Sequence, residues 1–405
     1  MCSANPNNHK DTIMPKFDET YKTIFRYVEE RESSDPGFLK AIKAMYNHNA
    51  KWSNSLISLL VHSCTPLFKP KEKKIKYFFW GNKYSDIIKS LPAKETCIIG
   101  GPKQALFCIK HRVKFIPCMS LWHILEDGLE HNNGVQKKLF KKMNALSKQL
   151  ARSKHENASL IVDNDSLPMQ RTAIISARTA GIKKTICIQH GIFQSKSPSH
   201  IFDGWFADEF FVISPSQKDM LIKKGMNSTT LKVLGFHSNP YKPTRALAEP
   251  KKRSICFLGQ PWVKYGEARA HRYIEIVELI FMELTTAGIN IFYKPHPWEK
   301  SCHTFGPHIK TINFSLDRAI EEHDAFISLT STALFEAHES GRVSIQIVDP
   351  AFDSDTFSET NGIHSINFSD FNLINEIKKI ISEHDANCLT TQESAGIRFI
   401  KTMNQ

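Results

Sequence analysis

The chain has 405 residues, 41% of them hydrophobic, and a formal net charge of +12. Its length exceeds what one ordinary core organises, so two domains of roughly 150–200 residues are expected. No run of about 18 apolar residues occurs, which argues against a membrane-spanning helix, and nine cysteines without CxxC or other metal-ligand spacing argue against a zinc module.

The positive balance favours an anionic partner: nucleic acid, an acidic membrane surface, or a phosphorylated or carboxylated substrate. Several cysteines sit inside apolar runs (TCIIG, TICIQ, SICFLG) and read as buried free thiols of a reducing compartment. The polar start MCSANPNNHKDTIMPKF lacks the apolar segment of a secretory signal. The expected location is the cytoplasm, with peripheral contact at the inner face of an anionic membrane.

Residues 1–73 read as a helical and basic extension, with TYKTIFRYVEER and NSLISLLVHSC followed by KPKEKKIK. From Lys74 short apolar runs alternate with amphipathic stretches, the pattern of a parallel sheet covered by helices. Strands are predicted at 75–80, 96–100, 113–117, 159–163, 184–189 and 209–214, giving a first Rossmann-like domain over 74–240. The segment HSNPYKPTRALAEPKKRS (237–254), proline-rich and without apolar period, reads as a linker. A second series at 254–259, 289–294, 324–329 and 343–348 gives a second such domain over 252–385. Residues 386–405 are expected to form a helix packed back on the first domain.

Ligands of open parallel sheets bind beyond the carboxyl ends of the strands, so the residues just after each apolar run are the informative ones. After INIFY comes Lys294-Pro295-His296-Pro297, a histidine restricted by proline on both sides and suited to donate to a phosphate oxygen or a leaving group. A hydrogen-bonded loop histidine is the plainer reading. After DAFIS comes SLTSTALFEA, where Thr330, Ser331 and Thr332 open a helix and suit either an anion or ordinary capping. Glu336 follows one turn later, placed for ribose hydroxyls or for solvent. Gly259 and Gln260 form a third strand end. These ends together outline a nucleotide with phosphate.

In the first domain SLIVDNDSLPMQR carries Asp163, Asp165 and Arg171, and KTICIQHGIF ends in Gln189-His190-Gly191. SLWHILEDGLEHNNG carries Glu126-Asp127-Gly128. An aspartate in a cleft serves as general base or nucleophile, with a neighbouring histidine to move charge; a turn or helix terminus is the plainer reading of Glu126-Asp127. No GxGxxG and no GxxxxGK[ST] occurs, so the dinucleotide and P-loop readings lack their phosphate loops.

With these residues the chain resembles bacterial surface-polysaccharide glycosyltransferases of the GT-B fold, over roughly residues 75–350. The likeness is to those using CMP-activated ulosonic acids, the sialyltransferases and Kdo transferases. It implies an α/β protein of two Rossmann-like domains with parallel sheets facing a central cleft. In the sialyltransferases an acidic-acidic-Gly motif, an HP motif and a Ser/Thr motif follow in the order seen here in Glu126-Asp127-Gly128, His296-Pro297 and 328–332. The resemblance implies that His296, Ser331 and Thr332 hold the CMP phosphate and that Asp127 deprotonates the acceptor. The Asp163/Asp165 and Gln189-His190-Gly191 strand ends look more like the retaining Kdo transferases, which implies Asp165 or Asp163 as nucleophile, assisted by Glu126 or Asp127. It further implies transfer of Kdo, sialic or a related acid to a capsule, lipopolysaccharide or other lipid-linked or oligosaccharide acceptor, without metal or other cofactor. A CDP-polyol phosphotransferase of teichoic-acid-like synthesis shares the KxHP-plus-serine pattern. A GT-B sugar-nucleotide epimerase is a further alternative, and a basic nucleic-acid-binding protein has no motif in its favour.

Overall fold

In the computed structural model the described residues are 14–34, 39, 42–43, 70, 73–118, 120–129, 134–189, 191, 193, 206–244, 246–249, 253–262, 267–297, 299, 305–306, 309–352, 357, 362–384 and 393–405. Two all-parallel sheets organise them. The first has seven strands in the order β3-β2-β1-β4-β5-β6-β7: β1 Ile75–Trp80, β2 Thr96–Gly100, β3 Lys114–Pro117, β4 Lys154–Val162, β5 Lys184–Ile188, β6 Glu209–Val212 and β7 Leu231–Val233. The second has six, in the order β10-β9-β8-β11-β12-β13: β8 Ile255–Leu258, β9 Ile291–Lys294, β10 Lys310–Thr311, β11 Ala325–Ser328, β12 Val343–Val348 and β13 His364–Asn367. The strands predicted from sequence all form. The three not foreseen, β7, β10 and β13, are short and lie at sheet edges, where one neighbour is missing and the apolar signal is correspondingly weak.

Parallel strands need crossover helices, and the chain supplies them on both faces. On one face of the first sheet lie α1 (Met14–Ser34), α4 (Ser120–Gly128), α5 (Val135–Ser153), α6 (Pro168–Thr179) and α7 (Pro215–Lys223); α2 (Ser85–Ser90) and α3 (Pro102–His111) cover the other. The first helix is built into the core rather than appended to it: Tyr21, Ile24, Phe25 and Val28 are buried with Leu125, Leu139 and Ala173. Arg171 Nη1 donates to the Thr23 carbonyl at 2.7 Å and Tyr21 Oη donates to the Gly128 carbonyl at 3.0 Å.

The second sheet is covered by α8 (Glu267–Thr286), α9 (Leu316–Glu322), α10 (Ala333–Glu339) and α11 (Leu373–Glu383). The last helix, α12 (Ala395–Met403), crosses back to the first domain, where Phe399 meets Tyr77, Phe79 and Phe211 at ring-centroid distances of 6.0–6.1 Å. Gly396 allows this approach, since a Cβ there would overlap the Ser90 side chain of α2. Between the domains, Ile213 and Phe236 of the first pack with Leu334 and Phe335 of the second, the two phenyl rings stacking at 6.4 Å. The linker is tied down as well: Asn239 N donates to Asp86 Oδ2 at 2.9 Å and Thr244 N to Glu321 Oε2 at 2.9 Å. Five cysteines (Cys97, Cys108, Cys118, Cys187, Cys256) are buried free thiols, and no described helix is long and apolar enough to cross a membrane.

Candidate functional site

The carboxyl ends of β8, β9, β10 and β11 converge on one cavity of about 750 Å³. Gly259 and Gln260 line it from the β8 end, Lys294, Pro295, His296 and Pro297 from β9, Ile312–Leu316 from β10, and Thr330–Ala333 with Glu336 from β11 and α10. Among the described residues, Gly191 of the first domain lines it from across the cleft.

A buried relay holds these loops in place. Gln260 N donates to Tyr273 Oη at 2.9 Å, Tyr273 and Tyr293 hydroxyls meet at 2.9 Å, and Tyr293 Oη donates to Glu299 Oε1 at 2.7 Å. Tyr293 has one proton and gives it to Glu299, so the shared bond must use the Tyr273 proton, and every link points toward the carboxylate. The other oxygen, Glu299 Oε2, accepts the His296 backbone N–H at 2.5 Å, while Glu299 N returns a bond to the His296 carbonyl at 2.8 Å. Burial, with the Glu299 charge nearby, raises both tyrosine pKa values, so they remain neutral donors. Gly259 is required by the same packing: a Cβ there would overlap the Glu299 carboxylate and the Tyr293 hydroxyl, and would stand 2.8 Å from Tyr293 Cζ. The relay thus couples the Gly259-Gln260 turn to the Pro-His-Pro loop.

The remaining walls are similarly fixed. Lys294 Nζ donates to the Phe314 carbonyl at 2.6 Å, pinning the loop after β10. Ser331 Oγ accepts the Ala333 N–H at 3.3 Å, whereas Thr332, at the N-cap of α10, makes no side-chain cap bond. Glu336 is half-buried in the first turns of α10; burial chiefly, then the charges of Asp317, Glu339 and Asp86, push its carboxyl up to about 7. A carboxylate so poised takes a proton or a hydroxyl donor readily near neutral pH.

Of the residues singled out from sequence, His296, Pro297, Lys294, Thr330, Ser331, Thr332, Glu336, Gly259, Gln260 and Gly191 are brought together. Others stand elsewhere. Asp165 is 2% exposed, and its Oδ2 accepts the backbone N–H groups of Phe206 at 2.7 Å and Ala207 at 3.1 Å. Burial raises its carboxyl pKa and those two bonds pull it back. This geometry makes Asp165 an anchor for the chain entering β6, not an open nucleophile. Arg171 is likewise a tie, donating through Nε to the Asp165 carbonyl at 3.1 Å as well as to Thr23, and it does not line the cavity. Gln189 is 1% exposed: Nε2 donates to the Gly191 carbonyl at 2.8 Å and to Gln217 Oε1 at 2.5 Å, and Oε1 accepts Ile213 N at 2.9 Å. Its side-chain amide is thus engaged within the protein and holds Gly191 in place.

Asp163 directly follows β4, with Oδ1 accepting from Gln170 Nε2 at 3.0 Å. Beside it stands Lys83 of the loop after β1, whose ammonium pKa is lowered by desolvation and drawn back by Asp163. Asp127 is exposed in the last turn of α4 and does not line the cavity; Glu126 lies on the same helix, its side chain outside the described residues, and His190 is outside them altogether. Sequence reading passed over Glu299, Tyr273, Tyr293 and Lys83. Glu299 had a signal, an acid two residues after a Pro-His-Pro run; the tyrosines had none, because their hydroxyls meet only through tertiary packing.

No protein-family model matches the chain, and no curated protein matches it. Solved structures do. HepE of Anabaena in complex with UDP and glucose is 11% identical with a TM-score of 0.54, covering 82% of this chain and 100% of that one. S. aureus MnaA with UDP gives 10% and 0.53 over 82% and 96%, and the lipopolysaccharide outer core galactosyltransferase WaaB gives 11% and 0.51 over 82% and 99%. At such identities the likeness speaks to architecture alone: the chain has the GT-B fold, two Rossmann-like domains about a cleft.

Proposed function

We propose that the chain is a glycosyltransferase whose second domain holds a nucleotide-activated sugar, and that the donor is a CMP-linked ulosonic acid. The observation that carries the reading is the convergence of Gly259-Gln260, the Pro-His-Pro loop, Thr330–Thr332 and Glu336 on one cavity beyond the strand ends. His296 and the hydroxyls of Ser331 and Thr332 take the phosphate, Glu336 takes ribose hydroxyls, and the loop of Ile312 to Leu316 faces the base. A CMP-sugar leaves with a single phosphate, which suits one imidazole and a few hydroxyls as the groups that receive its charge. In transfer the bond between the anomeric carbon and phosphate oxygen breaks, its electron pair leaves with CMP, and a new carbon–oxygen bond forms. The acceptor hydroxyl proton goes to a first-domain carboxylate, which this reading assigns to Asp163, just after β4, with Asp127 as the alternative. The acceptor is a surface glycan.

A nucleoside-diphosphate sugar is the second reading, favoured by HepE and MnaA, whose structures of the same fold contain UDP. CDP-glycerol is the donor of the polyol-phosphate alternative. Calorimetric titration and turnover with CMP-Kdo, CMP-sialic acid, CDP-glycerol and UDP-glucose separate them. Binding and product formation with a CMP-sugar, abolished in His296→Ala, are expected; use of UDP-glucose or CDP-glycerol alone overturns the CMP assignment, and near-normal turnover in His296→Ala overturns the site.

A further inference from the structure

The outer face of α5 carries six cations. Over 19 residues the helix (VQKKLFKKMNALSKQLARS) has Lys137, Lys138, Lys141, Lys142, Lys148 and Arg152 and no acidic residue. All six are exposed. Turning about 100° per residue, they fall within an arc of roughly 140°, separate from the arc of about 80° that buries Val135, Leu139, Met143, Leu146 and Leu150. Lys137–Lys141, Lys138–Lys142 and Lys148–Arg152 are like-charged pairs at i,i+4, which weaken a helix on their own account. Among the described residues none of the six makes an ion pair, whereas Lys76, Lys89, Lys184 and Lys232 elsewhere in this domain do.

The direction of the helix matters as much as its charge. Ser153 ends α5 and Lys154 begins β4 with no residue between, and the helix packs in the same core as Leu160 and Val162 of that strand. Its last turn therefore lies at the amino end of β4, and its first turn toward the carboxyl end, beyond which Asp163 follows. At about 1.5 Å per residue the cationic strip from Lys137 to Arg152 is about 23 Å long.

We propose that this strip is a docking track for an anionic polysaccharide, the acceptor glycan, led along α5 toward the cleft. The identification of the polymer as acceptor rests on the glycosyltransferase reading; the polyanion site does not. A bilayer-docking face mixes cations with apolar side chains that enter the headgroup region. No exposed large apolar residue lies on α5, whereas α3 on the opposite face shows Leu106 at 53% and Ile109 at 40% exposure. A hydrated polyanion needs only the cations, spaced along a line.

The test uses the full chain and two charge-matched variants. One carries Lys137→Gln, Lys138→Gln, Lys141→Gln and Lys148→Gln; the other carries Lys110→Gln, Lys223→Gln, Lys378→Gln and Lys379→Gln, exposed lysines away from α5. The probes are an α2,8-linked sialic acid polymer, neutral dextran, and phosphatidylglycerol/phosphatidylcholine vesicles, with CMP binding measured alongside. The α5 variant is expected to lose about tenfold or more in polymer affinity at ~0.1 M salt, with a shallower salt dependence, while the control variant changes by less than about threefold. Equal loss in both variants, no polymer binding by the unaltered chain, or tighter α5-dependent binding to vesicles than to polymer overturns the proposal. Absent CMP binding with intact α5-dependent polymer binding would instead overturn the donor assignment and leave the track standing.

Discussion

Glu299→Gln tests whether the buried relay, more than the histidine itself, builds the donor site. The carboxylate terminates two bonds, from Tyr293 Oη at 2.7 Å and from His296 N at 2.5 Å. A glutamine offers one carbonyl oxygen and a donor NH₂ in their place. Its NH₂ faces either Tyr293 Oη or the His296 N–H, so one of the two bonds that the carboxylate accepts is lost, and the charge assistance of the other goes too, for a total of roughly 2–4 kcal/mol. Denaturant unfolding followed through the second domain should show a loss of that size. Calorimetry should show weaker nucleotide binding, since the Pro-His-Pro and Gly259-Gln260 loops are no longer held to each other. Unaltered stability and affinity in the Glu299→Gln protein would refute the direction assigned to the relay.

Gly259→Ala drives a methyl into the same Glu299–Tyr293 pair, so it should destabilise by about 1–3 kcal/mol and weaken nucleotide binding; thermal melting and titration read both. Glu336, with a carboxyl at about 7 in the fold against an ordinary value of 4.5, binds more protons folded than unfolded between those values, so its contribution to stability falls as pH rises from about 4.5 to 7. Glu336→Gln should flatten that part of the pH–stability curve, and an unchanged curve would count against the assignment. Ribose hydroxyls donating to the ionised carboxylate should make nucleotide binding release protons near pH 7, seen as a dependence of calorimetric heat on buffer ionisation enthalpy. Asp165→Asn retains an acceptor for the Phe206 and Ala207 N–H groups and should keep fold and turnover, whereas Asp165→Ala should cost about 2–5 kcal/mol; a folded but inactive Asp165→Asn protein would restore the nucleophile reading.

The strand ends of the second domain were legible because each is a local event: an apolar run stops, and the next residues are prolines, glycines or hydroxyls with few other reasons to be there. The same rule applied to the first domain selected Asp165, Arg171 and Gln189, and there it picked out scaffolding. The physical difference is what each polar atom meets. At Asp165 and Gln189 the chain folds back and presents backbone N–H and C=O groups that would otherwise be buried unpaired; at His296 and Thr332 the side chains border open space. Sequence position marks the carboxyl edge of a sheet, but only the returning loop decides whether a polar residue there faces a ligand or the protein's own backbone.

That distinction also ranks the first-domain carboxylates. Asp165 is bound by two backbone donors and enclosed, so moving it toward an anomeric carbon would break bonds that the fold needs. Asp163 is half-buried, accepts from the side chain of Gln170 and stands beside the Lys83 ammonium. Asp163→Asn should therefore abolish transfer and leave CMP binding largely unchanged, because the proposed nucleotide contacts lie across the cleft on the second domain. Loss of CMP affinity in that variant, or transfer at the unaltered rate, would remove Asp163 from the chemistry and leave Asp127 as the acceptor's base.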